Sequence, residues 1–195
     1  MSSAALSKGG NAGLAEEAGR TVTEVVVGFG WNVPVSADAP FDLDVSAIVC
    51  DAAGKALGEP WLIYYGNPVA PGNAVVHNGD NPAGQGDGNQ ESLNVRLRRL
   101  PGLAARILFA VSIYEADQRR QDFGRVTRAF VRVVDQASGN ELMRYELNER
   151  FTDETAVIFG ELYRKDGGEW KFRAVGQGYS NGLKDLFDHH GVTGR

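Results

Sequence analysis

Phe41-Asp42-Leu43-Asp44-Val45-Ser46-Ala47-Ile48-Val49-Cys50 is the stretch from which the fold is read. Phe41, Leu43, Val45 and Ala47 alternate with Asp42, Asp44 and Ser46, the two-residue period of a strand that turns one face to a core. Asp42 and Asp44 then share the other face, about 7 Å apart along the strand. Like charges that close cost stability unless a cation or hydrogen-bond donors sit between them. A solvated polar face is the plain alternative.

Working outward, Asn32 to Pro40 reads as a loop carrying Asp38, and no Lys or Arg occurs from Trp31 to Gly54. Thr21 to Trp31 is β-branched and aromatic, the composition of a buried strand. Before it, Lys8-Gly9-Gly10-Asn11 forms a turn between two short extended pieces. On the other side, Trp61 to Tyr65 is a short strand, and Leu93, Val95 and Leu97 alternate with polar residues. Arg106 to Tyr114 is mostly apolar. Phe130–Val134 and Leu142–Leu147 flank the hairpin signal Ser138-Gly139-Asn140, and Ala156–Tyr163 joins Trp170–Val175 through Asp166-Gly167-Gly168. Ser180 to His190 is the one clear helix, with Ser180 as N-cap and Gly191 as its stop. About ten short strands at regular spacing, with little helix, predict a mainly β chain. The expected architecture is an antiparallel β-sandwich of two sheets with a short C-terminal helix, in a single domain over residues 1–195.

Between the strands lies His77-Asn78-Gly79-Asp80-Asn81-Pro82-Ala83-Gly84-Gln85-Gly86-Asp87-Gly88-Asn89-Gln90-Glu91. It carries carboxylates at Asp80, Asp87 and Glu91, amides at Asn81, Gln85 and Asn89, glycine at alternate positions 84, 86 and 88, and no basic residue but His77. Glycines there free the backbone to turn carbonyls inward. Carboxylate, amide and carbonyl oxygens are what a hard cation takes, about six to eight of them for Ca2+. The same residues also make any surface turn. The loop is not an EF-hand. Counted from Asp80, the sixth position is Gln85 and the twelfth Glu91; counted from Asp87 they are Ser92 and Arg98.

The bulk chemistry narrows the function classes. A net charge of -5 gives no footprint for nucleic acid. The single cysteine, Cys50, rules out an intrachain disulfide and a CxxC motif, fits a reducing interior, and reads as a core thiol. With no signal-peptide run at the start and no window near the roughly 18 apolar residues of a membrane span, a cytoplasmic location is expected. No nucleophile elbow or Walker loop is present, and Gly176-x-Gly178-x-x-x-Gly182 misses the dinucleotide spacing. His77 has no nucleophile nominated beside it. Arg119, Arg120, Arg125, Arg128 and Arg132, with Gln121, could form an anion or acidic-partner site, but the interleaved Glu115, Asp117 and Asp122 favour a salt-linked surface.

In its motifs the chain resembles the TerD family of bacterial tellurite-resistance and stress-response proteins. The resemblance is carried by Leu6-Ser7-Lys8-Gly9-Gly10-Asn11, Val27-Gly28-Phe29-Gly30-Trp31, Phe41 to Ala47, Gly79-Asp80-Asn81, and Gly84-Gln85-Gly86-Asp87-Gly88. It continues through Gln121-x-Phe123-Gly124, Ile158 to Arg164, and Glu169 to Gly178. It implies a β-sandwich that binds Ca2+ through its two acidic segments, without established catalysis. The expected calcium set is Asp38, Asp42, Leu43 and Asp44 from the first segment, with Asp80, Asn81, Gly86, Asp87, Asn89 and Glu91 from the second. Other stress-response proteins or a membrane-associated complex are the partners implied beyond the ion. The alternative is a metal-free scaffold docking an acidic partner through Arg119, Arg120, Arg125 and Arg128. The family's loop usually ends Gly-Asp-Gly-Asp-Asp-Glu, whereas this one has Asn89 and Gln90 in place of two acids. Lost charge predicts weaker calcium binding or one site fewer. Glu115 and Tyr114 stand where the family has Asp and commonly His.

Overall fold

The computed structural model describes residues 3–34, 39–80, 89–165 and 168–193, with Asp80 defined by its backbone alone. Asp38, most of the Gly/Asp loop, and the Asp166-Gly167 turn therefore lie outside the described residues. The strands in chain order are β1 (Ala4–Leu6), β2 (Asn11–Gly13), β3 (Glu24–Asn32), β4 (Leu43–Cys50), β5 (Leu62–Ile63) and β6 (Val75–Asp80). They continue with β7 (Glu91–Arg96), β8 (Arg106–Ile113), β9 (Thr127–Asp135), β10 (Glu141–Glu146), β11 (Ala156–Tyr163) and β12 (Lys171–Tyr179). Short helices α1 (Leu14–Ala18), α2 (Ala116–Arg119) and α3 (Gly182–His190) complete the elements used below.

Two six-stranded sheets form the sandwich, one ordered β1-β10-β9-β3-β7-β6 and the other β2-β12-β11-β8-β4-β5. The described pairings are antiparallel except β1 with β10. The turn at Lys8-Gly9 sends β1 to one sheet and β2 to the other, with Gly9 at φ 79, a conformation that glycine adopts without strain. The alternation read from Phe41 onward holds: Leu43, Val45, Ala47 and Val49 face the interior between the sheets. There Phe29 meets Phe159 edge-on at 6.0 Å and Phe109 at 6.3 Å, arrangements that aromatic quadrupoles favour.

A second apolar layer covers the outer face of the β4–β8–β11 sheet. Leu186 and Phe187 of α3 pack on Ile48, Cys50, Leu62, Leu108 and Ile158. Cys50 is fully buried, and desolvation, with the charge of Asp51, pushes its thiol up to about 12, so it is a packing residue. Gly191, at φ 77, ends α3 as expected. The N-cap, however, is Asn181 and makes no side-chain cap bond, while Ser180 accepts a hydrogen bond from Thr155 Oγ1 through its carbonyl. No described helix is long and apolar enough to cross a membrane.

The hairpin signalled by Ser138-Gly139-Asn140 joins β9 to β10. The buried Asp135 organises it, accepting from Ser138 Oγ at 2.5 Å and from the Ala137 N–H while pairing with Arg20. Desolvation opposes ionisation of Asp135, but these donors and the Arg20 charge outweigh it and lower its pKa. The unfolded chain then takes up the proton first. The stabilisation is complete above about pH 4 and is lost as pH falls through the lower folded value. Asp135→Asn is expected to cost about 2 kcal/mol at pH 7 in urea unfolding, and to flatten the loss of stability of the wild-type protein below pH 4. An equal acid loss in both proteins would contradict this.

Candidate functional site

Strand β5 is two residues long and pairs with β4 only at Ala47 and Ile48. Among the described residues, the start of β4 therefore has no strand neighbour on that edge, although β8 runs along the other from Leu43 to Cys50. The exposed backbone donor is met by a side chain from the opposite sheet. Glu91 opens β7 on the same inward face as Leu93 and Val95, and its Oε2 accepts the Val45 N–H at 2.9 Å. His77 of β6 donates to the same oxygen from Nε2 at 3.1 Å. The Gly79 N–H donates to His77 Nδ1 at 2.9 Å, which places the ring proton on Nε2 and makes that nitrogen the donor to Glu91. The Glu91 and His77 side chains are only 4% and 5% exposed. Glu91 is thus an inter-sheet link, with Asp80 and Phe29 as its register neighbours.

The two residues before Glu91 are engaged as well. Gln90 accepts the Trp31 N–H on Oε1 at 2.5 Å and donates Nε2 to the Trp31 carbonyl at 2.8 Å, while its own N–H reaches the Phe29 carbonyl at 2.8 Å. A carboxylate at this position could accept but not donate, so the amide serves the strand end. Asn89 Oδ1 takes Arg132 Nε at 2.7 Å. It lies where a Cβ on Gly28 would come within 2.2 Å, and Gly28 is the register partner of Arg132.

Of the expected calcium ligands, those within the described residues take several different directions. Leu43 points into the core, and alternation places Asp44 on the opposite face of β4, beside Ser112 in register. Asp42 just precedes the strand, is exposed, and accepts the Tyr114 N–H on its carbonyl at 2.8 Å. Glu91 points between the sheets. Asn89, with its oxygen turned to a guanidinium, fits a cation poorly. Asp38, Asn81, Gly86 and Asp87 lie outside the described residues, as does the Asp80 side chain. Among the described residues no three His, Cys, Asp or Glu side chains are grouped to hold a metal.

The arginine segment is salt-linked, as its interleaved acids suggested. Arg119 pairs with Glu115 at 3.1 Å, donates to the Pro40 carbonyl at 3.2 Å and stacks over Tyr114. Arg125 approaches Asp122 at 3.7 Å and lies over Phe41. The buried Gln121 donates to the Ala39 carbonyl at 2.8 Å. This segment grips residues 39–41, the lead-in to the acidic strand. Arg120 and Arg128 are exposed, both at φ 51.

Neither the Glu91 link nor the Gln90 clamp was read from the residues, because both side chains are polar ones in a Gly/Asn/Asp-rich stretch. The one available signal was positional: Glu91 continues the alternation of Leu93 and Val95 backward by one step. Glu91→Ala takes the carboxylate away from two donors, the Val45 N–H and His77 Nε2, at about 1–3 kcal/mol each. It is expected to lower unfolding free energy in urea by roughly 2–6 kcal/mol. A loss below about 1 kcal/mol would show that these contacts carry little of the fold.

The chain matches the TerD domain over residues 2–190. It is 44% identical over 191 residues to the tellurium resistance protein TerD of Serratia marcescens, with 98% of each chain covered. It is 42% identical over 172 residues to general stress protein 16U of Bacillus subtilis, covering 88% of this chain and 89% of that one. A crystal structure of a homologue of telluride resistance protein (TerD) from Streptomyces coelicolor A3(2) shares the fold, with a TM-score of 0.66 at 24% identity over 86% of this chain and 95% of that one. The chain belongs to the TerD family of tellurium-resistance and stress-response proteins.

Proposed function

We propose that this chain acts in the stress response as a non-enzymatic Ca2+-binding protein, with the ion joining the entry of β4 to the Gly/Asp loop. The observation that supports this reading is the contact between Glu91 Oε2 and the Val45 N–H at 2.9 Å. It brings the end of the loop against the acidic strand one residue from Asp44. The donor set we assign is Asp42 and Asp44 with Asp80, Asn81, Gly86 and Asp87, and with Asp38 and Leu43 adjoining. Glu91, whose Oε2 already takes two donors, serves as anchor, and Asn89 leaves the set because Arg132 holds its oxygen.

A bound Ca2+ would supply charge neutralisation and a many-oxygen centre that orders the loop. The surrounding residues do the rest: Gln121, Arg119 and Arg125 fix the 39–41 lead-in, and Gln90 fixes the end of β3 beside the loop. Because two family acids are amides here, with both amides engaged inside the fold, affinity is set by fewer charges. The metal-free scaffold reading loses support from Arg119 and Arg125, which are paired within the chain.

Calorimetric titration of metal-stripped protein is expected to show Ca2+ binding in preference to Mg2+, since a flexible oxygen cage suits the larger ion. Calcium at a hundred times its dissociation constant is expected to add about 2.7 kcal/mol of stability, and Asp44→Asn to remove most of that gain. A melting midpoint unmoved by calcium or by chelator would refute the reading.

A further inference from the structure

On the outer face of the β8–β11–β12 sheet, beyond the last turn of α3, lies a cavity of about 380 Å³. That is the size of a small-molecule site. Leu108 and Glu161 belong to its lining, together with Arg106, Arg173, Tyr179 and His190. None of its lining residues belongs to the donor set proposed above for calcium.

Two of these side chains hold buried polar atoms without hydrogen-bond partners. Glu161 is 2% exposed. Its Oε1 takes Arg173 through Nε at 2.7 Å and through Nη2. Its Oε2 has no hydrogen bond, and Arg106 Nη1 stands at 3.8 Å, beyond hydrogen-bond reach. His190 is 9% exposed, and its Nδ1 lies 2.7 Å from the Gly54 carbonyl. A carbonyl only accepts, so the ring proton is on Nδ1 and Nε2 carries a bare lone pair. Burial lowers the His190 pKa, against the Gly54 bond and with help from the charges of His189, Lys55 and Arg106, so the ring is neutral at pH 7. His190 Nε2 likewise has no partner.

Both orphaned atoms are acceptors, and a buried acceptor left unpaired is destabilising. What completes them must donate, as a hydroxyl does. The cations on the same wall set the other half of the requirement. Lys8, Arg106 and Arg173 outnumber the one carboxylate, Glu161, so the occupant also carries negative charge. We infer that this cavity is a binding site for a small anion bearing hydroxyl groups, with its hydroxyls on Glu161 Oε2 and His190 Nε2 and its anionic group on Arg106 and Arg173.

The test is imidazole nitrogen NMR of the intact protein, reading His190 Nε2 during titration with ribose 5-phosphate and, separately, with citrate. The first arm distinguishes a sugar phosphate and the second a hydroxy acid, while ribose alone and inorganic phosphate supply each half of the chemistry. At least one hydroxylated anion is expected to shift Nε2 saturably, binding at least roughly tenfold more tightly than ribose or inorganic phosphate. Glu161→Gln is expected to weaken it roughly tenfold. Should that variant misfold, Arg106→Gln, at a half-exposed rim position, is expected to weaken the same titration with the amide spectrum unchanged. No shift with either compound at millimolar concentration would overturn the inference. Inorganic phosphate binding as tightly as ribose 5-phosphate, with citrate inactive, would also overturn it.

Discussion

A sandwich is held by apolar burial between its sheets, but where it ends, each strand edge still presents backbone donors and acceptors to be met. Here the decisive end is the start of β4, which β5 is too short to cover. Glu91 resolves it by crossing from the facing sheet to the Val45 N–H, with His77 holding the same oxygen from β6. A buried carboxyl group is costly unless hydrogen-bonded. One residue thereby ties β4, β6 and β7 together and fixes where the Gly/Asp loop returns to the fold. The geometry of the acidic end depends on that tie.

Around it, neighbouring residues do complementary work. Gln90 completes the end of β3 as a strand would, with one acceptor and one donor to Trp31. Asn89 lies over Gly28 against Arg132. The two acid-to-amide differences from the usual family loop are thus absorbed by the backbone and by a guanidinium. From the other side, Gln121 and Arg119 hold the carbonyls of Ala39 and Pro40. The former anion-site candidates thereby become the support of the acidic strand's approach.

Much of the fold was legible because it follows short-range rules. The alternation from Phe41, the Ser138-Gly139-Asn140 hairpin and the Gly191 stop each follow from a local preference of the chain, and the structure realises them. Other features were not. His77 to Asp80 read as loop because they are polar, yet they extend β6, where pairing with β7 overrides composition. Trp61 to Tyr65 shrinks to a two-residue β5. The short α1 and α2, and the parallel pairing of β1 with β10, carry no periodic signal over so few residues. At the candidate site, the acidic residues were visible from composition, whereas the inward turn of Glu91 depends on sheet register, a non-local property. The pair of Glu161 and His190 was equally hidden, since β11 and α3 meet only in the folded chain.

Amide hydrogen exchange at Val45 measures the inter-sheet tie most directly. The Val45 N–H is bonded to a side chain of the facing sheet, so the account predicts protection comparable to that of neighbouring ladder amides in the native protein. It further predicts selective loss of that protection when Glu91 is replaced by Ala, while the Leu93 and Val111 amides stay slow. Fast exchange at Val45 in the unmodified chain, or protection unchanged by the substitution, would contradict it.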